Sequence, residues 1–234
     1  MKIIGFNSGV LHHTFHPISK EMLDIIRNTG ANAVELGSDQ AEQLKDLEVS
    51  DFQGFSYISI HAPSNVIYGQ NQEAVKVLDS IQEAHERFSF KCVVIHPDRV
   101  DNWDIFDNYN FPIAVENMDF RKNFGKTVKD VKQVLENNDY GFVLDLNHCY
   151  SNDKSLRLAW DFYKAFKNRL CEIHISGFQK YHEPLFKTRQ NKIIKMLPKK
   201  EVPIIIESVC DDMKEIKKEL EYVNLFFDKI IKIS

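Results

Sequence analysis

The segment Phe142-Val-Leu-Asp-Leu-Asn-His148 is a short apolar run that ends in a carboxylate, and a histidine follows three residues after that carboxylate. A short, continuously apolar run is typical of a parallel β-strand that is buried on both faces. Asp145 would then lie at the carboxyl end of the strand, and His148 in the loop beyond it. Both residue types bind metals, but many strands end in aspartate, so the segment is informative only if the pattern recurs.

The pattern recurs along the whole chain. Eight short apolar segments alternate with segments of helical periodicity, and we predict strands at 3–7, 33–36, 57–60, 92–95, 113–115, 142–144, 171–173 and 202–206. The third to the eighth of these segments are each followed directly by an ionisable residue: His61, His96, Glu116, Asp145, His174 and Glu207. Regular alternation of strands and helices predicts a parallel sheet, and eight units predict a single α/β domain over residues 1–234, closed into a (β/α)8 TIM barrel. An open doubly wound sheet is the alternative, but no glycine-rich phosphate-binding loop supports it.

Capping residues and apolar spacing predict the helices between the strands. Ser19 is placed to cap a helix over 20–28, and apolar residues at spacings of three and four predict a helix over 74–88. The other helices are expected at 40–47, 98–110, 128–137, 155–166, 187–197 and 212–230. In the last of these, Met213 and Phe227 are among the residues predicted to face inward.

Composition limits the class of protein. Hydrophobic residues make up 43% of the 234 residues, enough for a sizeable core, and the net charge of −4 gives no general attraction to nucleic acids or anionic membranes. The four cysteines form no CxxC pair, which suits a reduced, cytoplasmic protein. No segment is long enough to span a membrane, and the apolar run at the N-terminus is too short for a signal peptide. We therefore predict a cytoplasmic protein without a membrane partner; no sequence feature indicates an oligomeric state.

In a (β/α)8 barrel the carboxyl ends of all strands meet at one face, where the six ionisable residues would converge. His148 and His182, in the loops after the sixth and seventh strands, would join them. Buried carboxylates need compensating positive charge, and divalent cations provide it. A mixed set of His, Asp and Glu suits zinc or manganese better than magnesium or calcium. Other polar residues expected at this face are Asn7, His12, His13, His16 and Glu35.

The ordered set of motifs resembles the endonuclease IV family (AP endonuclease family 2), which belongs to the xylose-isomerase-like barrel superfamily together with sugar isomerases and epimerases. The motifs are His61-Ala-Pro, His96-Pro, Glu116-Asn117, Asp145-x-x-His148, His174 and Glu207. The resemblance covers residues 3–230. It implies that His61 and His96 bind one metal ion. It also implies that Glu116 bridges this ion to a second one, whose other ligands would be Asp145, His174 and Glu207.

The family's third metal uses a histidine that matches His148 and an Asp-x-His motif that matches Lys180-Tyr-His182. Lys180 replaces an anionic ligand by a cation, which argues against a third ion unless Glu183 substitutes. We therefore predict two zinc or manganese ions per chain. Where the family carries residues that intrude into DNA, this chain has Ser64-Asn65, which argues against cleavage of abasic-site DNA. A small phosphoester, a sugar and another nucleic acid remain the candidate partners.

Three functions remain open. The first is a metal-dependent hydrolase of a phosphoester, with abasic DNA as a less favoured substrate; the second metal site formed with His61 and His96 places it narrowly first. The alternative is a single-metal isomerase or epimerase of a sugar or sugar phosphate, in which Glu116 and Glu207 would act as an acid/base pair. Lys187 and Arg189 would then be candidates for a phosphate contact. The third is a barrel that binds a metal or a small ligand without turnover.

Overall fold

The computed structural model describes residues 2–37, 41–198 and 202–232, with side chains through residue 226. Within these residues, the eight predicted strands form a closed parallel barrel in chain order, in which the last strand pairs with the first. The strands are β1 Ile4–Asn7, β2 Ala33–Gly37, β3 Tyr57–His61, β4 Val93–Ile95, β5 Ile113–Glu116, β6 Gly141–Asp145, β7 Leu170–Ile175 and β8 Ile204–Ile206. The predicted (β/α)8 barrel is confirmed.

The helices surround the barrel. They are α1 Lys20–Asn28, α2 Gln72–Phe88, α3 Val128–Leu135, α4 Leu146–Asn152, α5 Arg157–Phe166, α6 Leu185–Thr188, α7 Asn191–Ile194 and α8 Met213–Lys232. Ser19 caps α1 as predicted, because its side chain accepts a hydrogen bond from the Met22 N–H at 3.2 Å. None of the described helices has the length and hydropathy needed to cross a membrane.

Four predicted helical features are corrected by the structure. The helix expected over 98–110 is replaced by two 3-10 turns, Pro97–Arg99 and Trp103–Asn108. The helix expected over 40–47 is a 3-10 turn at Ala41–Asp46, and residue 40 lies outside the described residues. The helix expected over 187–197 is divided into α6 and α7, because Arg189 adopts a left-handed conformation with φ of 56°. Met213 is exposed instead of inward, since it begins α8; the side chain of Phe227 lies outside the described part.

The barrel interior changes character along its axis. Near the amino ends of the strands it is filled by small and apolar side chains, listed here: Ala33, Tyr57, Cys92, Val94, Ala114, Val143 and Ile205. Nearer the carboxyl ends it holds buried ionisable side chains: Glu35, Glu116, Asp145, Glu172 and His174. A buried cluster of this kind is expensive to maintain without compensation, which marks this end of the barrel as the functional one.

Candidate metal centre

Glu116, at the end of β5, is the centre of the cluster. Its Oε2 atom lies 2.9 Å from His96 Nε2 and 3.5 Å from His61 Nε2. Its Oε1 atom lies 2.9 Å from the Nδ1 atom of His174. His61 Nδ1 lies 3.0 Å from the carbonyl oxygen of Ala62, which holds the ring so that Nε2 faces the carboxylate. The two histidines that follow β3 and β4 therefore approach Glu116 from one side, and His174 from the other.

The six strand-end residues form two groups that share Glu116. Within each group, the potential ligand atoms all lie within 4.8 Å of one another. The larger group is Glu116, Asp145, His174 and Glu207, and the smaller is His61, His96 and Glu116. Zinc ligands lie about 2.0–2.2 Å from the ion, so ligand atoms up to roughly 4.4 Å apart are expected around one ion. Asp145 Oδ2 is buried and accepts no hydrogen bond from the described residues. The donor set and this unsatisfied oxygen fit a divalent cation.

Asp145 ends β6 and also begins α4. Its side chain accepts a hydrogen bond from the His148 N–H at 2.6 Å and so caps the helix. The prediction that His148 lies in a loop is therefore wrong: it lies in the first turn of α4. Its Nδ1 atom lies 2.8 Å from the Asn117 carbonyl oxygen, so Nδ1 carries the proton and Nε2 is left as an acceptor.

His148 and His182 line the cavity but belong to neither metal-ligand group among the described residues. His182 Nδ1 lies 3.0 Å from Ser176 Oγ and 3.6 Å from Glu207 Oε2. Glu183 is not placed to replace a missing ligand, because its carboxylate accepts hydrogen bonds from the backbone N–H groups of residues 179–181. Lys180 is exposed, and its N–H is one of those donors. At the positions that match the family's third metal site, Lys180 and Glu183 therefore do not supply a ligand.

Electrostatics distinguishes the three carboxylates of the larger group. Burial raises the pKa of Asp145 to about 8, and the nearby Glu116 carboxylate adds to this shift. Burial also raises the pKa of Glu207 to about 8; His174 opposes the shift and Glu116 contributes to it. For Glu116, burial acts in the same direction, but the surrounding imidazoles outweigh it and hold its pKa well below the usual value. A bound cation would favour the ionised form of all three carboxylates.

The pKa values of two histidines are shifted in opposite directions. Burial favours the neutral form of His174, but the carboxylates of Glu35, Glu207 and Glu116 raise its pKa well above the usual value. Burial, aided by the charge on His61, lowers the pKa of His96 to about 4. A neutral imidazole has a free lone pair, which is what a metal ligand requires.

Sequence analysis missed Glu172. This residue is fully buried on β7, two positions before His174, and its Oε1 atom lies 2.7 Å from His174 Nε2. Together with Glu35 and His174 it forms a third group of closely spaced metal-ligand atoms. The signal was a charged residue inside an otherwise apolar strand, at the two-residue spacing that puts two side chains on one face.

The cavity above the cluster has a volume of about 540 Å³ and is lined by polar side chains from the loops after several strands. Asn7, His12, His16, Gln43 and Ser64 are among these lining residues. His13, expected at this face, does not line it. Among the described residues the lining contains no lysine or arginine. The volume lies within the roughly 300–1,000 Å³ that is usual for small-molecule sites.

The side chains of Lys187 and Arg189, which were candidates for a phosphate contact, interact with other side chains. Lys187 Nζ lies 2.8 Å from an oxygen of Asp211 and 2.7 Å from one of Glu215. The guanidinium of Arg189 lies over the ring of Tyr222, 5.3 Å from its centroid. Neither residue therefore reaches the cavity to bind a substrate phosphate.

Comparisons with known proteins support the fold. No protein-family model and no curated protein matches the sequence. Among solved structures, a D-tagatose 3-epimerase-like protein is similar over 100% of both chains, with a TM-score of 0.72 and 16% identity. A D-psicose 3-epimerase from Clostridium cellulolyticum H10, solved with D-tagatose, covers 98% of this chain and 99% of its own, with a TM-score of 0.67 and 12% identity. A xylose isomerase domain containing protein from Salmonella typhimurium covers 97% of each chain, with a TM-score of 0.60 and 13% identity.

These similarities give the chain the xylose-isomerase-like barrel fold. They do not single out the endonuclease IV family, to which the motifs had pointed. With identities of 16%, 12% and 13%, these structures establish the fold alone.

Proposed function

We propose that this protein is a divalent-metal-dependent isomerase or epimerase that moves a proton next to the carbonyl group of an uncharged keto sugar. The observation that carries the proposal is the position of Glu116 and Glu207. Both belong to the larger metal-ligand group and line the cavity, whereas the other two members, Asp145 and His174, do not line it. An acid/base pair has to reach the substrate, and these two carboxylates do.

The four residues of the larger group would hold the cation, and three oxygen ligands with one imidazole suit manganese or zinc. When bound, such a cation polarises the carbonyl and a neighbouring hydroxyl oxygen of the sugar, which acidifies the C–H beside the carbonyl. Asp145 and His174 would fix the position of this charge, because neither side chain lines the cavity. Glu116 and Glu207 are therefore the members of the group that would contact the substrate.

Glu116 ends β5 and Glu207 follows β8, so the two carboxylates approach the barrel axis from different sides. A substrate between them can lose a proton to one and regain a proton from the other, which inverts a carbon when the two act on opposite faces. The pKa of Glu116 is held low by the imidazoles despite burial, and burial raises the pKa of Glu207 to about 8. Carboxylates with environments this different are suited to opposite roles: Glu116 as the base and Glu207 as the acid.

The lining of the cavity supports an uncharged substrate. Side chains of His, Asn, Gln and Ser can hydrogen-bond to sugar hydroxyl groups, and no lysine or arginine of the described residues lies among them. A phosphate carries up to two negative charges, and binding it usually relies on arginine, lysine or a helix N-terminus. Lys187 and Arg189 interact with Asp211 and Tyr222, which also argues against a phosphorylated substrate.

Hydrogen exchange with solvent tests the proposal. Manganese-loaded protein would be incubated in D2O with ketopentoses, ketohexoses and their terminal phosphates, and NMR would follow deuterium at the carbon beside the carbonyl. We expect exchange with at least one free ketose, and rates about 10²–10⁴-fold lower in Glu116→Gln and Glu207→Gln. His13→Gln, which changes a histidine outside the cavity lining, is the matched control. Absence of exchange with every sugar would refute the isomerase proposal, and a preference for the phosphates would refute the uncharged substrate.

A second candidate, a metal-dependent phosphoester hydrolase, has one specific observation in its favour. His61, His96 and Glu116 form a compact group of their own, which a single-metal isomerase does not require. Two metals sharing a carboxylate can activate a water and stabilise a leaving oxygen. Hydrolysis of bis(p-nitrophenyl) phosphate that is lost in His61→Ala would support this candidate, whereas ketose exchange that survives in His61→Ala would support the first.

A further inference from the structure

Two buried carboxylates lie beneath the larger metal-ligand group, nearer the amino ends of the strands. Glu172 Oε1 is 2.7 Å and Glu35 Oε2 is 3.2 Å from the Nε2 atom of His174. The other ring nitrogen, Nδ1, lies 2.9 Å from Glu116 Oε1 and 3.4 Å from Glu207 Oε1. The His174 ring thus faces the ligand group with one nitrogen and the buried carboxylate pair with the other.

A histidine that binds a metal must present a lone pair at one nitrogen and keep its proton on the other. The side chain that accepts this proton's hydrogen bond fixes both the tautomer and the orientation of the ring. We propose that Glu172, supported by Glu35, is a positioning residue that keeps the proton of His174 on Nε2 and directs the Nδ1 lone pair toward a divalent cation. This inference rests on the metal site of the proposed function.

Glu172 shares the inward face of β7 with His174, two residues later, and a bulge before Glu172 puts Leu170 on the other face. In the pairing of β6 with β7, Phe142 is opposite Leu170, but Val143 is opposite Glu172, so Cys171 is an extra residue. Without this bulge, Leu170 and Glu172 would lie on the same face of the strand, because side chains alternate. With it, Leu170 packs in the core outside the barrel while Glu172 points inward. Bulges that re-aim a side chain are common beside functional sites.

Glu35 is held by a chain of hydrogen bonds from β1. Asn7 Nδ2 donates to Glu35 Oε1 at 2.7 Å, and Asn7 Oδ1 accepts from the Gly9 N–H at 2.8 Å, which fixes the orientation of the amide. A Cβ atom at position 37 would lie 2.6 Å from Asn7 Oδ1, so glycine there leaves room for the amide. The side chain of Glu35 is therefore oriented by Asn7, and the face on which Glu172 lies is set by the register of β7.

Stability alone gives no reason for this arrangement. Glu35 and Glu172 are both 0% exposed, and burying carboxylates is unfavourable unless each is well paired. Around them, Glu172 Oε2, Tyr57 OH and Ser59 Oγ are buried without a hydrogen-bond partner among the described residues. An apolar filling of the same space would be expected to give a more stable barrel. The carboxylates are better explained by what they do to His174.

Two substitutions of Glu172 separate a positioning role from other roles. In Glu172→Gln, the side-chain carbonyl can still accept the Nε2 proton of His174, whereas Glu172→Leu removes the acceptor. We expect Glu172→Leu to bind Mn²⁺ about 10–100-fold more weakly than the unaltered protein, and Glu172→Gln within about fivefold of it. The unfolding temperature of the metal-free Leu variant should be equal to or higher than that of the unaltered protein.

Glu219→Gln provides a matched control. Glu219 is also fully buried, and its carboxylate accepts hydrogen bonds from the Leu185 and Phe186 N–H groups and from Ser208 Oγ, outside the cavity lining. Its substitution should leave the Mn²⁺ affinity unchanged. A buried carboxylate with a purely structural role would behave in this way, and Glu172 should not.

The outcomes are distinguishable. A Glu172→Leu variant that binds Mn²⁺ within about threefold of the unaltered protein would overturn the positioning role. Equal losses in the Leu and Gln variants would overturn it as well, because they would make Glu172 a charged ligand. A measurement on the unaltered, zinc-loaded protein needs no variant: long-range ¹H–¹⁵N spectra should show His174 protonated at Nε2, and protonation at Nδ1 would refute the proposal. An unaltered protein that binds no divalent ion would instead refute the metal site itself.

Discussion

Replacing Asp145 by asparagine is expected to weaken metal binding and to stabilise the metal-free protein at neutral pH. Burial, with the neighbouring Glu116 carboxylate, raises the pKa of Asp145 to about 8, whereas aspartate in an unfolded chain titrates near about 3.9. Since the folded protein keeps a proton that the unfolded chain loses, this group makes stability fall as the pH rises from about 4 to about 8. At pH 7 the gap of about 3 pH units corresponds to on the order of 4 kcal/mol.

Asparagine has no carboxyl proton to lose, and its oxygen can still accept the hydrogen bond from the His148 N–H that caps α4. For a chain of this size, about 1 kcal/mol shifts the unfolding midpoint by roughly 2–4 °C. Calorimetry of chelator-treated protein at pH 5 and pH 8 should show a higher midpoint and a weaker pH dependence for Asp145→Asn, and Mn²⁺ should raise the midpoint of the unaltered protein more than that of the variant.

Asp119→Asn supplies a control of opposite sign. Asp119 is buried but accepts hydrogen bonds from the backbone and guanidinium of Arg121, and these outweigh burial and lower its pKa. Its ionised form therefore stabilises the fold above the unfolded pKa, and its substitution should lower the midpoint at neutral pH. The reasoning would be refuted if metal-free Asp145→Asn unfolded at a lower temperature than the unaltered protein at pH 8, or if its pH dependence were unchanged.

Three further substitutions test individual contacts. His61→Ala should leave Mn²⁺ affinity within about threefold in calorimetric titration, because His61 lies outside the larger ligand group; a much larger loss would indicate that the two groups act as one centre. Gly37→Ala should lower the unfolding temperature, since its Cβ would lie 2.6 Å from Asn7 Oδ1 and overpacking costs about 1–3 kcal/mol; equal stability in scanning calorimetry would contradict this. Asn117→Ala removes hydrogen bonds to both the N–H and the carbonyl oxygen of Asp145, which should cost about 1–3 kcal/mol for each group left unpaired; an unchanged urea midpoint would count against it.

The barrel could be predicted from sequence because its strands are buried on both faces. Such strands appear as short apolar runs, and the residue that follows each run falls at the same end of the barrel. This is why the six strand-end residues, from His61 to Glu207, could be placed near one another without a structure. Their roles as metal ligands and as acid and base remain predictions.

Other features depend on contacts that a periodicity analysis does not contain. Helix α4 was missed because Asp145 both ends a strand and caps the helix, and the residues after it lack apolar spacing. The break at Arg189 lies in a left-handed residue with no glycine or proline to indicate it. The spacing of Glu172 from His174 was visible in the sequence, but the bulge at Cys171 that puts Leu170 on the other face is revealed only by the pairing with β6. The substitution at Lys180 was visible in the sequence, but its outward position was not.

Titration of metal-free protein with Mn²⁺ tests whether the larger ligand group binds a metal ion. We expect saturable binding of at least one ion per chain by the unaltered protein, and a large loss of affinity in His174→Gln and Asp145→Asn. Binding that is absent in the unaltered protein, or that is equally tight in both variants, would contradict the assignment of Glu116, Asp145, His174 and Glu207 as the metal centre.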